Sequence, residues 1–187
     1  FDPAVVRATY NRVFVMAAGN NGVVQSANVP WDVNNAPNLI IVGSTDINGN
    51  ISSFSNTPGT ACFVDSTGVC RQRMMDRFMV APGELILLPD GNGGFVRRSG
   101  TSFSAPLVSG AITLLHDRWP WLAHFPRETV DIMLRSARDL GAPGVDPVYG
   151  HGMLDVTASQ APLNFNNLMF FEMRNGVMTY RSASDMK

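Results

Sequence analysis

The chain has 187 residues, of which 45% are hydrophobic and 16% are charged, with 17 glycines and 12 prolines. These values are typical of a globular domain with a real core and many tight turns. A net charge of −1 gives no electrostatic reason to expect nucleic acid or an anionic membrane as a partner. No apolar run approaches the roughly 20 residues that a transmembrane helix needs. Because the first residue is Phe1 and no charged and then apolar leader follows it, we expect the chain to lack its natural start.

The first two thirds of the chain contain short apolar runs that end in small or turn-forming residues. Residues 13–20 and 38–46 are almost continuously apolar, as strands covered on both faces are. A third such strand is predicted over residues 77–84, where Pro82 and Gly83 stop it. Residues 85–88 and 94–99 flank a Pro-Asp-Gly-Asn-Gly turn sequence and predict a hairpin.

From Ser102 the pattern changes to longer apolar segments that are typical of helices. Residues 102–119 are apolar and rich in small residues, which predicts a buried helix. Since Pro106 is tolerated only near a helix N-terminus, this helix is expected to begin close to Ser102. A second helix is predicted over residues 126–141, with Pro126 at its first position and Gly141 at its end.

The last segments are shorter. Residues 155–161 predict a third helix capped by Asp155, and residues 167–182 predict a hairpin that turns at Asn175-Gly176. The sequence contains no internal repeat and no linker long enough to split two domains. We therefore expect residues 1–161 to form one unit and residues 162–187 to form a tail or the start of a following segment.

The two cysteines, Cys62 and Cys70, are eight positions apart and are separated by Asp-Ser-Thr-Gly turn chemistry. A disulfide between them would stabilise the fold by roughly 2–3 kcal/mol and would indicate an oxidising compartment. Two free thiols in a loop are the alternative. A zinc site is not expected, because no histidine is close by.

Ser102 is the first candidate for chemistry. A serine at the start of a buried helix lies where unpaired backbone N–H groups and the helix dipole favour negative charge. The same position suits a nucleophile or an ordinary N-cap serine, and a nucleophile would need an adjacent base.

Asn20 is the second candidate, since it ends a predicted buried strand in the sequence AAGNNG. In open α/β folds, ligands bind at the carboxyl ends of parallel strands, and an Asn side chain there can donate an N–H to an oxyanion. The alternative is an Asn that merely tolerates a left-handed turn.

Three ordered motifs, taken together, resemble the subtilisin-like serine proteases (subtilases). The family's oxyanion motif Ala-Ala-Gly-Asn is matched at residues 17–20. The pattern around the family's nucleophile is matched by Gly100, Thr101, Ser102, Ser104, Pro106, Val108 and Gly110. The closing motif is matched by Tyr149, Gly150, Gly152, Leu154 and Asp155. The sequence has Leu107 where many members have His, a position outside the catalytic triad. The resemblance covers about the carboxyl-terminal half of the family's catalytic domain.

The resemblance implies an α/β fold: part of a three-layer structure with a mainly parallel sheet and the nucleophile at a buried helix N-terminus. Ser102 would attack the peptide bond, and the side chain of Asn20 with the backbone N–H of Ser102 would form the oxyanion hole. Residues 27–31 would form the far wall of a specificity pocket with room for a large apolar side chain. Ala17, Ala18 and Gly19 would line this pocket, and Thr101 is the other substrate-binding residue implied.

The family's triad also contains an Asp and a His, which precede the oxyanion Asn along the chain. Neither of their motifs occurs in the 19 residues before Asn20, and all three histidines follow Ser102. His151 and Asp65 stand in sequences that resemble the missing motifs only faintly. We therefore expect the Asp and His on an upstream segment, with this chain alone nearly inactive as a protease. Half a parallel sheet would also expose an apolar edge, so a partner fragment or oligomerisation is expected to cover it.

These observations favour a secreted serine endopeptidase that acts on peptide or protein substrates, exported to an extracytoplasmic location such as a bacterial cell surface. The expected partner is the amino-terminal part of the same catalytic domain. The alternative is a subtilase-like domain that serves in binding or scaffolding without catalysis. No cofactor is required, whereas a structural calcium ion stays open at two loops whose oxygen ligands are Asp46, Asn48, Asn50, Asp90 and Asn92.

Overall fold

In the computed structural model, residues 12–31 and 38–161 are described with their side chains, and residues 169–174 and 177–182 as backbone strands. The strands are β1 (Phe14–Ala17), β2 (Val29–Pro30), β3 (Leu39–Thr45), β4 (Cys62–Val64), β5 (Cys70–Arg73), β6 (Phe78–Pro82), β7 (Ile86–Pro89), β8 (Phe95–Arg98), β9 (Met169–Arg174) and β10 (Val177–Ser182). The helices are α1 (Thr101–Arg118), α2 (Pro126–Arg135) and α3 (Val156–Ser159), with 3-10 turns at Met74–Arg77 and Pro120–His124.

The central sheet is parallel, with strand order β1-β3-β6. All seven residues of β3 are buried, which agrees with its continuous apolar sequence. A smaller sheet, β2-β4-β5, combines one parallel and one antiparallel pairing. The predicted α/β architecture with a mainly parallel sheet is therefore confirmed.

Alternate residues of the central strands pack on opposite faces of the sheet. One face carries Ile40 and Val42 against helices α1 and α2, and the other carries Leu39 and Ile41 against the smaller sheet. The helix-side core is completed by Val108, Ile112, Leu115, Val130, Met133 and Leu134. Two cores thus cover the central sheet from both sides and hold its strand ends in place.

The predicted disulfide is present, and it joins Cys62 in β4 to Cys70 in β5 across a Cα–Cα distance of 5.6 Å. The hairpin predicted after residue 84 is confirmed as the antiparallel pair β7-β8. Helix α3 is confirmed too, and the Asp155 carboxylate caps it by accepting a hydrogen bond from the Ala158 N–H at 2.8 Å.

The second helix is shorter than predicted, since α2 ends at Arg135 and not near Gly141. The Arg138 N–H donates to the Met153 carbonyl at 2.8 Å, and the Met153 N–H donates back to the Arg138 carbonyl at 2.8 Å. Residues 136–141 therefore leave the helix to pair with a segment 15 positions away, although the apolar residues there have helical spacing.

Strands β9 and β10 pair with each other in antiparallel register, which agrees with the predicted tail hairpin. The predicted turn at Asn175-Gly176 lies outside the described residues, as do residues 162–168 and 183–187. The division into residues 1–161 and a tail stays a prediction. Within the described part of the chain, no helix is both long and apolar enough to cross a membrane.

The first residues of α1 lie close in space to the carboxyl end of β6, although β7 and β8 separate the two elements along the chain. The Gly83 N–H donates to the Thr45 carbonyl at 3.1 Å, and the Gly100 N–H donates to the Gly83 carbonyl at 2.8 Å. A Cβ atom at Gly83 would lie 2.6 Å from Ser44 Oγ and 2.8 Å from the Gly100 carbonyl oxygen. Only glycine therefore allows the helix start to approach the sheet this closely.

We expect Gly83→Ala to lower the free energy of unfolding by about 1–3 kcal/mol, because the added methyl group would overlap the Gly100 carbonyl oxygen and two buried serine hydroxyls. Gly110→Ala is the matched control, since a Cβ at this exposed position inside α1 meets nothing within 4 Å. Alanine there is expected to raise the free energy of unfolding by about 0.5–1 kcal/mol. Denaturant unfolding measures both, and equal effects of the two substitutions would contradict the steric argument.

Candidate active site

Ser102 is the second residue of α1 and its side chain is exposed. The residue in the N-cap position is Gly100, which has no side chain to cap the helix. Since an N-cap serine would have to precede the first helical residue, the alternative interpretation of Ser102 as a cap is wrong. Among the residues described with side chains, the Ser102 hydroxyl has no hydrogen-bond partner, and it lies exposed at a helix N-terminus.

Asn20 follows β1 and reaches the start of α1, 81 residues further along the chain. Its Oδ1 accepts a hydrogen bond from the Thr101 N–H at 2.8 Å and another from the Thr101 hydroxyl at 3.0 Å. The fold therefore brings the two candidates from the sequence, Asn20 and Ser102, to one place.

The same hydrogen bonds leave two N–H donors available, Asn20 Nδ2 and the Ser102 backbone N–H. Because Thr101 donates to one end of the Asn20 amide, that end is the oxygen Oδ1, and the end turned away from Thr101 is the Nδ2 donor. The Phe103 N–H donates to the Gly100 carbonyl at 3.0 Å. Within residues 12–31 and 38–161, neither Asn20 Nδ2 nor the Ser102 N–H has a hydrogen-bond acceptor. Two unpaired N–H donors at a helix N-terminus can stabilise an anion.

Thr101 is fully buried, at 0% exposure. Its hydroxyl accepts a hydrogen bond from the Gly19 N–H at 3.2 Å and donates to Asn20 Oδ1. The sequence predicted that Thr101 contacts substrate, but its burial places it behind the exposed pair Asn20 and Ser102. Its side chain supports Asn20, and the Gly19 backbone turns over it with a φ of 102°.

Ala17 and Ala18, both predicted to line a specificity pocket, are separated by the alternation of the strand. Ala17 packs against the core beneath α1. Ala18 lines a half-open cavity of about 150 Å³ on the other side of the sheet. Val29, from the predicted far wall, lines the same cavity. Of the two alanines, Ala18 lines this cavity and Ala17 does not.

The three histidines lie away from Ser102. His116 is fourteen residues further along α1, about 20 Å at the helical rise, and its Nε2 is 2.9 Å from the Thr129 hydroxyl. His124 ends the 3-10 turn beyond α1. The His151 N–H donates to the carbonyl of Phe78, at the amino end of β6, whereas α1 starts beyond its carboxyl end. The elements that carry the three histidines therefore place them away from the start of α1.

Burial lowers the pKa of both His116 and His151 below the ordinary value for histidine.

Asp65, the other candidate that the sequence raised, lies in the turn between the two cysteines. Hydrogen bonds from Thr67 and then Arg71 hold the pKa of this carboxyl well below its usual range. Asp65 is thus a structural residue of its own loop.

The two loops considered for calcium are tight turns closed by their own aspartates. Asp46 Oδ1 accepts hydrogen bonds from the Asn48 and Asn50 N–H groups, each at 2.8 Å. Asp90 Oδ1 accepts from the backbone of its own loop in the same way. No three His, Cys, Asp or Glu side chains form a possible metal site among the residues described with side chains. Calcium binding stays a prediction.

Sequence reasoning missed one residue that contacts this site, Asn56. Its side chain is hydrogen-bonded to the backbone on both sides of Asn20, and only 8% of the residue is exposed. Asn56 follows a stretch of serines 36 positions after Asn20, so no local pattern indicates that the two would meet.

Comparison with known proteins identifies a family that this chain resembles over most of its length. The subtilase family model matches residues 3–152. Serotype-specific antigen 1 of Mannheimia haemolytica is 31% identical over 177 residues, which covers 88% of this chain and 17% of that protein. The autotransporter lipoprotein NalP of Neisseria meningitidis is 41% identical over 71 residues, which covers 37% of this chain and 6% of that protein.

Solved structures give the same result. The patellamide maturation protease PatA superposes with a TM-score of 0.59 at 31% identity, over 84% of this chain and 53% of that one. The chain therefore spans about half the length of this structure and a smaller part of the two relatives above.

Proposed function

Because the chain belongs to the subtilase family, we propose that it supplies the nucleophile and the oxyanion hole of a serine endopeptidase. The observation that carries the proposal is the contact between Asn20 and Thr101, the residue before Ser102. It supports the proposal because Thr101 uses Oδ1 of the Asn20 amide and leaves its Nδ2 group as a donor. A binding module would need neither a serine nor an unpaired donor pair at this place.

In the proposed reaction, Ser102 Oγ attacks the carbonyl carbon of the scissile peptide bond while a histidine base takes its proton. The carbonyl oxygen becomes an oxyanion, to which Asn20 Nδ2 and the Ser102 N–H donate hydrogen bonds. Collapse of this intermediate breaks the C–N bond, and the histidine gives the proton to the leaving amine. Water then releases the acyl group from Ser102 by the same steps.

We propose that the histidine and its aspartate partner come from a segment upstream of Phe1, which completes the site. The positions of His116, His124 and His151 support this proposal, because none lies within reach of Ser102. The chain alone is then nearly inactive, since an oxyanion hole without a base leaves only residual catalysis.

The proposed substrates are peptides or proteins with an apolar side chain on the acyl side of the cleaved bond. The cavity beneath Ala18 supports this, because a volume of about 150 Å³ suffices for a benzene-sized group. Its lining includes the apolar side chains of Val29, Ile41 and Phe78. We also propose an extracytoplasmic location. The Cys62–Cys70 disulfide and the similarity to an autotransporter lipoprotein support it.

A fluorophosphonate probe tests the proposal, because it labels only an activated serine. The chain is expressed alone and together with the residues encoded directly upstream, and peptide mass spectrometry locates the adduct. We expect labelling at Ser102 only with the upstream residues present, and none in Ser102→Ala. Absence of labelling in both preparations would overturn the proposal and favour a non-catalytic binding domain.

A further inference from the structure

We propose that Asn56 is a positioning residue, which holds the loop that carries Asn20 so that its Nδ2 group meets the developing oxyanion. This inference rests on the proposed role of Asn20 and adds a residue that acts on catalysis through it. The residue is buried, belongs to the segment between β3 and β4, and follows Asn20 by 36 positions.

The side chain of Asn56 binds the loop at points before and after Asn20. Its Nδ2 donates to the Ala18 carbonyl at 3.0 Å. Its Oδ1 accepts from the Asn21 N–H at 3.1 Å and from the Val23 N–H at 3.0 Å. The backbone N–H of Asn56 adds a hydrogen bond to the Gly19 carbonyl at 3.0 Å. Four hydrogen bonds from one residue thus bracket Asn20.

Only a side chain that both donates and accepts can make these contacts. An aspartate would keep the two acceptor bonds but would turn an oxygen toward the Ala18 carbonyl, and an alanine would leave three backbone groups without partners. Gly19 takes part as well, because a Cβ there would collide with Asn56 Nδ2. The loop and the amide are therefore fitted to each other.

The position of Asn20 depends on two anchors from different parts of the chain. Thr101 holds its side chain from the start of α1, and Asn56 holds the backbone of the residues before and after it. Loss of the second anchor lets the loop shift while the first bond persists. Since a misplacement of about 1 Å costs on the order of 100-fold in rate, we expect Asn56→Ala to lower kcat by about 10- to 100-fold.

Asn56 also lines the cavity beneath Ala18, so a direct contact with substrate is the competing role. The two roles differ in their kinetic effects. A positioning residue that acts through Asn20 lowers kcat and leaves KM nearly unchanged, whereas a residue that binds the ground state raises KM. A positioning residue also loses its effect when Asn20 is already absent.

The experiment is a double-mutant cycle in the enzyme that contains this chain together with its upstream segment. Asn56→Ala, Asn20→Ala and the double variant are compared by kcat and KM on a peptide substrate. We expect the double variant to match Asn20→Ala within about 3-fold in kcat, because both changes remove the same donor from the oxyanion. Gln160→Ala is the control. Its amide also donates to a backbone carbonyl, that of Ala111, but lies away from Asn20, so kcat should stay unchanged.

Hydrogen exchange gives a readout that does not depend on activity. The Asn21 and Val23 amides should exchange at least about 10-fold faster in Asn56→Ala than in the unsubstituted protein. Unchanged exchange, a rise in KM with constant kcat, or a double variant at least 10-fold below Asn20→Ala would each overturn the inference. Absence of hydrolysis by the unsubstituted enzyme would instead overturn the proposed function, and the exchange rates would still decide whether Asn56 anchors the loop.

Discussion

Ser102→Ala is expected to lower kcat of the assembled enzyme by about 10⁴-fold or more, with KM little changed. The reason is that the variant lacks the atom that forms the acyl bond, while the substrate contacts around it are intact. Because Ser102 is exposed at the second residue of α1, its substitution leaves the packing of the helix intact. Steady-state hydrolysis of a peptide substrate measures the loss.

Ser109→Ala is the matched control on the same helix. Its hydroxyl donates to the Ala105 carbonyl of the preceding turn, at 3.2 Å. We expect this variant to keep full activity and full labelling by the fluorophosphonate. A Ser102→Ala protein with more than about a tenth of the original kcat would exclude Ser102 as the nucleophile.

Asn20→Ala is expected to lower kcat by about 10²–10³-fold at nearly constant KM, because one donor to the oxyanion is lost. Asn20→Asp separates the two ends of the amide. Its carboxylate can still accept the hydrogen bonds from the Thr101 N–H and hydroxyl, so the loop stays attached to α1. It offers an oxygen where Nδ2 stood, and we expect it to be at least as inactive as the alanine variant.

The affinity for a peptide boronate, whose tetrahedral adduct carries a negative charge, provides the second measurement for these variants. We expect Asn20→Ala to weaken boronate binding and to leave the binding of an uncleaved peptide unchanged. Equal weakening of both ligands would show that Asn20 binds the substrate in its ground state, which contradicts an oxyanion hole. Gln160→Ala again serves as the control with an unchanged profile.

Most of the fold followed from local patterns in the sequence. The buried strands were recognisable because a strand covered on both faces needs a continuous apolar run, as residues 39–42 show. Pro106 indicated a helix start nearby, and α1 does begin at Thr101, although the proline itself lies inside the helix as its sixth residue. The early end of α2 could not be predicted, because it results from the pairing of Arg138 with Met153. Contacts between distant segments leave no periodic signal.

The site divides in the same way. Asn20 and Ser102 were identified because they stand in motifs whose order along the chain is characteristic. Thr101 is buried, and Ala17 and Ala18 point to opposite faces of the sheet. Predicting these positions would have required knowledge of the strand register and of how α1 packs on the sheet. Asn56 was missed because its partners are backbone groups, which look identical in every sequence.

The contact between Asn20 and Thr101 also determines at which stage of folding the two N–H donors come together. This hydrogen bond joins residues 81 positions apart, and it requires that β1, β3 and β6 have already paired in parallel. Such long-range parallel pairing is slow compared with the formation of helices and hairpins. The two N–H donors of the proposed oxyanion hole are therefore brought together late in folding, once the sheet is complete.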